Sequence, residues 1–243
     1  MPSWAALSLA LATCGAACRP DVPILTWHSI GPGQDEFTVG EGAFAAQLDA
    51  LQRAGYHSIT FHDWLEHRDR GVGLPDKPIL LTFDDGDEDA FTAALPALRA
   101  RGMRATFFVV SGWIRPDEAH RFTRGETGRS SLIWPEVRAL AAAGMEIGSH
   151  GRTHRRLSVL SSEEALQEMA SSKRDLEAGL QRTVEVFAYP YNASRSHLRT
   201  LAQQAGYRAA VSGVDHGGAD RYDLFRRGVG RGTSPEDLLR ALR

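Results

Sequence analysis

The stretch Ile79–Asp89, ILLTFDDGDED, decides how the rest of the chain is read. Its apolar run reads as a buried strand. The run ends abruptly in two adjacent aspartates, a glycine and three more acids. Neighbouring like charges repel, so the stability of a fold gives no reason for Asp84 and Asp85 to stand side by side. A strand that brings such a pair to its tip points to chemistry there.

Outward from this strand the pattern alternates. VPILTWH, HSIT, ATFFVV, MEIGSH, VEVFAYP, YRAAVSG and DLFRRGVG are further short runs that read as strands. Segments 41–56, 61–69, 88–102, 134–144, 161–180, 194–206 and 234–243 place apolar residues at helical spacing between them. Their ends are marked: Gly55, Gly102 and Gly144 stop helices, Pro135 opens one, Ser161 with Glu164 forms a capping box, and Ser234 caps the last. About eight strand–helix alternations predict an α/β fold, a distorted (β/α) barrel of about seven to eight parallel strands. In such a barrel the active residues gather at the C-terminal strand ends. The polar stretch Arg115–Ser131 is the one long loop, expected at the rim.

Those strand ends carry His28, the Asp84–Asp85 pair, His150 and His154, and Tyr189–Pro190–Tyr191. His150 and His154 stand four apart, a spacing that in a helical turn puts both imidazoles on one side, able to share one cation. Two such nitrogens with one carboxylate oxygen make a site for zinc or a similar divalent ion, with a position left for water. One aspartate would then ligate the metal and the other serve as a base. Asp87, Glu88 and Asp89 are expected as the solvated first turn of the next helix.

TFDDG, SHGRTH and FAYPYN resemble the first three motifs of the polysaccharide deacetylases, the NodB-homology family of carbohydrate esterases. The resemblance runs from about Val22 to Leu242, and it implies a barrel of the NodB-homology type. PILTWHSIG and LFRRGVGRGTS resemble the branch that includes exported poly-N-acetylglucosamine deacetylases. Carried over by motif, it implies Asp84 as general base and Asp85, His150 and His154 as metal ligands. It also implies the Tyr191 N–H, beside Pro190, as part of an oxyanion hole and His28 as general acid. The implied cofactor is a divalent metal, Zn²⁺ first, with Co²⁺, Ni²⁺ or Mn²⁺ as alternatives; the implied substrate is an N-acetylated polysaccharide or oligosaccharide.

The chain departs from the pattern in three places. Ala188 stands where the third motif often has an arginine, so the residue that orients the base must come from elsewhere, with Arg226 as the candidate. Asn192 replaces a common glycine, a mild change because asparagine tolerates left-handed geometry. A late Leu-His motif is absent, which leaves His216 in GVDHGG as the alternative acid to His28. Trp113, at a strand end, is the candidate for stacking on a sugar. Trp27, on the strand face opposite His28, is expected in the core, and Trp134 at a helix start fits either role.

Composition narrows the classes further. Lys plus Arg is 28 and Asp plus Glu is 30, a net charge of −2 with no basic run, which gives no sign of a nucleic-acid partner. Residues 1–18 are apolar and small, too short to span a membrane, and read as a signal peptide or lipoprotein signal; residues 19–243 form the catalytic domain. The expectation is export to the periplasm, outer surface or medium. GAAC resembles a weak lipobox, with a lipid anchor at Cys18 as the one membrane link. Cys14 and Cys18 are the only cysteines, so the domain has no disulfide. A glycosidase needs two separated carboxylates and no histidine pair, which fits poorly. A metal-dependent amidase on a small N-acyl compound, or a non-catalytic sugar-binding relative, are the other readings.

Overall fold

Eleven strands are present in the computed structural model, which describes residues 22–125, 127–215 and 220–242. They are β1 (Ile24–Trp27), β2 (Ser29–Ile30), β3 (Thr38–Val39), β4 (His57–Ile59), β5 (Pro78–Phe83), β6 (Thr106–Val109), β7 (Glu146–Ser149), β8 (Val186–Ala188), β9 (Ala209–Ser212), β10 (Leu224–Phe225) and β11 (Arg227–Gly228). The helices are α1 (Glu41–Arg53), α2 (Phe61–Arg70), α3 (Leu95–Arg99), α4 (Trp134–Ala142), α5 (Ser162–Leu180), α6 (Ser196–Gln204) and α7 (Pro235–Ala241). The predicted caps are in place: Ser161 and Glu164 form a reciprocal box at α5, and the Ser234 hydroxyl accepts from the Asp237 N–H at α7.

The main sheet runs β10-β9-β8-β7-β6-β5-β1-β11, and all its pairings are parallel. β4 adds to the first half of β5, from His57 opposite Pro78 to Ile59 opposite Leu80; β6 takes the second half, at Thr82 and Phe83. The expected single last strand is divided. Leu224–Phe225 pairs with β9 and Arg227–Gly228 with β1, so the segment changes partner at Arg226. The Arg226 N–H donates to Ser212 O at 3.0 Å and the Val229 N–H to Thr26 O at 2.8 Å. This shared segment nearly closes the sheet into a (β/α) barrel.

The period of two along each strand sorts the side chains. Odd-numbered Leu25, Trp27, Leu81, Phe83 and Phe107 join the large core under the surrounding helices. Trp27 is fully buried there, stacked on Phe83 at 5.6 Å, as its position opposite His28 predicts. Even-numbered Ile24, Leu80, Phe108, Val186 and Ala188, with Ala209 and Val211, form a second cluster inside the ring of strands. Phe61, Trp64 and Leu65 of α2 plug it from below. Gly148 makes room inside: a Cβ there would lie 2.5 Å from the Phe108 ring.

Two local expectations are corrected. Segment 88–102 is not one helix: a π-helical turn, Ala90–Ala94, precedes the short α3, because Pro96 has no N–H to give the preceding turn. Asp87 and Asp89 are not solvated. Asp87 is buried between Arg124 and Arg129, and Asp89 accepts from the Ser29 hydroxyl at 2.5 Å. The reason is that loop 115–131 folds over this turn, with Glu88 N–H donating to Ser130 O at 2.8 Å and Leu132 N–H to Gly86 O at 2.9 Å.

Candidate active site

Thr26 and Thr82 sit opposite each other in the β1–β5 register. Two residues further on, the same inward row delivers His28 and Asp84, and β7 delivers His150 two residues beyond Gly148. The chain then leaves the sheet in unusual backbone. Among the described residues six non-glycines have left-handed φ, and four of them are here: Asp85 (73°), His154 (60°), Tyr191 (59°) and Asn192 (55°). Such conformations cost of order 1–3 kcal/mol each and persist where the surroundings hold them for use. Asn192 thus adopts the geometry expected of it in place of glycine.

Asp85 Oδ1 lies 3.4 Å from His154 Nε2 and 3.6 Å from His150 Nε2. One donor atom from each of Asp85, His150 and His154 falls within 4.8 Å of the others. His150 Nδ1 is hydrogen-bonded to Ala188 O at 2.8 Å, which fixes the ring and turns Nε2 to the centre. Burial pushes the His150 pKa down to about 4, so it is a neutral ligand at neutral pH. Converging donors, a fixed tautomer and an N₂O set are what a divalent first-row ion requires, so the residues fit one.

Asp84 is buried, and Arg226 grips both its oxygens, at 2.6 and 2.7 Å. Burial alone would raise the Asp84 pKa; the charge and the hydrogen bonds of Arg226 outweigh it and hold the carboxyl below its ordinary value. Arg226 is itself almost wholly enclosed. It also donates to Thr26 Oγ1 (3.2 Å), Thr82 Oγ1 (3.3 Å) and Asn192 Oδ1 (3.4 Å), with its guanidinium over the Phe108 ring.

These groups open into a cleft of about 790 Å³, which also exposes His28, Phe37, Trp113 and Tyr191. A cleft of that size suits an oligomeric or drug-sized ligand. Two of the exposed large hydrophobics among the described residues are aromatic, Phe37 and Tyr191, and both line it. Phe37 packs on the His28 ring at 5.1 Å, and Tyr191 lies against His154 at 4.8 Å with Arg156 over it.

The polysaccharide deacetylase family model matches residues 71–210, more than half of the chain. The chain belongs to the polysaccharide deacetylase family. By family it is a hydrolase acting on carbon–nitrogen bonds. YxkH of Bacillus subtilis, which carries the polysaccharide deacetylase name, is 28% identical over 217 residues, covering 88% of this chain and 73% of that one. The poly-β-1,6-N-acetyl-D-glucosamine N-deacetylase of Escherichia coli K12 is 28% identical over 133 residues, covering 52% of this chain and 20% of its own. The chain thus spans about a fifth of that relative. Among solved structures, the Streptococcus pyogenes deacetylase PplD, in complex with acetate, superposes with a TM-score of 0.78. It is 22% identical and is covered over 98% of its length by 91% of this chain, a likeness of fold.

Within this deacetylase fold, Asp84, Asp85, His150, His154, His28, Tyr191 and Trp113 meet in one cleft, with Arg226 behind Asp84. Pro190 is buried under the loop and packs beside Gly151 rather than lining the cleft. Trp113 lines it with Arg124 over its ring at 4.9 Å, and Phe37 and Tyr191 are the more exposed aromatics of the cleft. Trp134 packs onto α5, where a Cβ at Gly179 would come within 2.1 Å of it. His216, Cys14 and Cys18 lie outside the described residues. The sequence reading missed Arg124, Arg129, Arg156 and Phe37. They sit in irregular loops without periodicity, where only an aromatic flanked by polar residues, Phe37, left any signal.

Proposed function

We propose that the chain is a metal-dependent N-deacetylase of an N-acetylated amino-sugar polymer, with poly-N-acetylglucosamine as the first substrate to test. The observation that carries this is the pairing of an Asp85–His150–His154 donor set with a separately held carboxylate, Asp84, in one cleft. The E. coli relative's activity and the two exposed aromatics, Phe37 and Tyr191, support a sugar polymer.

Asp85, His150 and His154 would hold the ion, Zn²⁺ first and Co²⁺, Ni²⁺ or Mn²⁺ as alternatives. When bound, the metal supplies Lewis acidity to the acetamide carbonyl and lowers the pKa of water. Asp84, ionised and fixed by Arg226, takes a proton from the attacking water. The oxygen adds to the carbonyl carbon, and the Tyr191 N–H donates to the resulting oxyanion. As the C–N bond breaks, protonated His28 gives its proton to the departing nitrogen, leaving an amine and acetate. Phe37, against the His28 ring, restricts that imidazole. Export is proposed on the apolar N-terminal segment alone, with lipidation at Cys18 as its alternative form.

The test is metal content and acetate release, measured together on the purified chain with chitooligosaccharides, poly-N-acetylglucosamine and peptidoglycan fragments. A chelator is expected to abolish release and Zn²⁺ or Co²⁺ to restore it. Full activity in metal-free protein would overturn the reading, and release only from small N-acyl compounds would replace the substrate.

A further inference from the structure

Asp85 has two oxygens with different neighbours. Oδ1 faces His150 and His154. Oδ2 accepts from Arg124 Nη1 at 2.8 Å, and Arg124 Nη2 pairs with Asp87 Oδ1. One guanidinium therefore bridges two buried carboxylates two residues apart. Its Cζ lies over the Trp113 ring, which is 5.3 Å from that of His154. The backbone around Arg124 is tied as a tight turn, with Arg124 N–H donating to Arg129 O (2.9 Å) and Gly128 N–H to Arg124 O (2.7 Å). Arg129 then reaches back to Asp87, Asp35 and Thr38, so loop 115–131 is locked to the strand tip on both sides.

A carboxylate can bind a cation through one oxygen or both. An oxygen that already accepts a charge-assisted hydrogen bond from a buried guanidinium is not free for a second cation. We propose that Arg124 is a positioning residue that confines Asp85 to ligation through Oδ1 alone and so keeps coordination positions open for water and substrate. The inference rests on the metal reading above. It adds a role for a loop that carries no catalytic motif: the substrate-facing wall sets the geometry of the metal ligand behind it. Arg124 also places a positive charge beside the cation, so its cost in metal affinity is accepted for an open coordination sphere.

The experiment uses the purified full chain as wild type, R124Q, R124K and R124Q/D87N. Co²⁺ affinity is read by chelator competition, coordination by visible absorption, and kcat and KM on an N-acetylated chitooligosaccharide. R124Q is expected to bind Co²⁺ as tightly as wild type or tighter, to absorb more weakly as coordination number rises, and to lose about 10–100-fold in kcat with KM little changed. R124K, a point charge without the two-pronged fork, restores only part of the rate. R124Q/D87N removes the carboxylate that loses its Arg124 partner and is expected to behave as R124Q, which separates the effect on Asp85 from any on folding. A wild-type spectrum and rate in R124Q, or loss of Co²⁺ affinity in R124Q and the double variant, would overturn the proposal. Failure of the wild type to bind Co²⁺ would instead overturn the metal reading on which it stands.

Discussion

Asp84 and Asp85 are neighbours in sequence and opposites in setting. The strand parity that sends Asp84 inward onto Arg226 ends at Asp85, whose left-handed φ turns it toward the histidines. The two substitutions should therefore fail differently. Asp85→Ala is expected to lose metal and activity together. Asp84→Asn is expected to keep its metal, measured by elemental analysis, and lose roughly 10²–10⁴ in kcat. His28→Ala should also keep its metal and lose a comparable factor in kcat. Metal retained in Asp85→Ala, or near-normal turnover in Asp84→Asn, would reverse the roles. The adjacent aspartates and His150 were legible in the sequence because they follow directly on strands; His154 was reached by its spacing from His150, and Arg226 through the family resemblance and the missing arginine at Ala188. Arg124 was not, since a guanidinium in an aperiodic loop carries no mark of where it folds.

Elements with strong period and capping were read correctly, as at β5, α5 and α7. The failures cluster where tertiary contacts override local preference. Asp87 and Asp89 looked like a solvated helix start because acids suit a helix N-terminus; the fold of loop 115–131 over them is a long-range event. The 3₁₀ turn Ser111–Trp113 is likewise held by a long-range contact. Gly112 N–H donates to Arg152 O at 2.8 Å, and a Cβ at Gly112 would lie 2.4 Å from that same oxygen. The Gly151–Arg152 backbone it touches joins His150 to His154. Gly112→Ala is therefore expected to destabilise the chain by about 1–3 kcal/mol in urea unfolding and to weaken metal binding as the two histidines shift apart. An unchanged midpoint and unchanged metal affinity would show that the turn yields without cost.

At the scale of the whole barrel, chemistry sits at one end and a different buried carboxyl at the other. Glu146 starts the inward column on β7 that ends in His150. It accepts from Phe61 N (2.6 Å) and His62 N (3.1 Å), at the start of the α2 plug, and from Thr106 Oγ1 (2.7 Å). Burial pushes its pKa up to about 7, with Glu185 adding to the rise and the three hydrogen bonds opposing it. A raised folded value means that the protonated form is favoured in the native state. The stabilisation is complete below pH about 4.5 and is lost as pH rises through about 7. Glu146 keeps some access to solvent, so the effect is on the order of 1–2 kcal/mol. Glu146→Gln retains an oxygen for Phe61 and Thr106, and it is expected to remove this part of the pH dependence and raise the thermal midpoint at pH 8 relative to pH 5. Parallel midpoints for both proteins across that range would discount the carboxyl.

The seam at Arg226 has a consequence in time. Asp85, His150 and His154 are all in hand once the first two-thirds of the chain has been made, and the Ala188 carbonyl that steadies His150 follows soon after. Asp84 waits longer, because its partner is Arg226, between the two half-strands that join β9 to β1. In the order of the chain the three donors of the candidate metal site thus come well before the residue that aligns the base, and the same late segment that seals the ring supplies it.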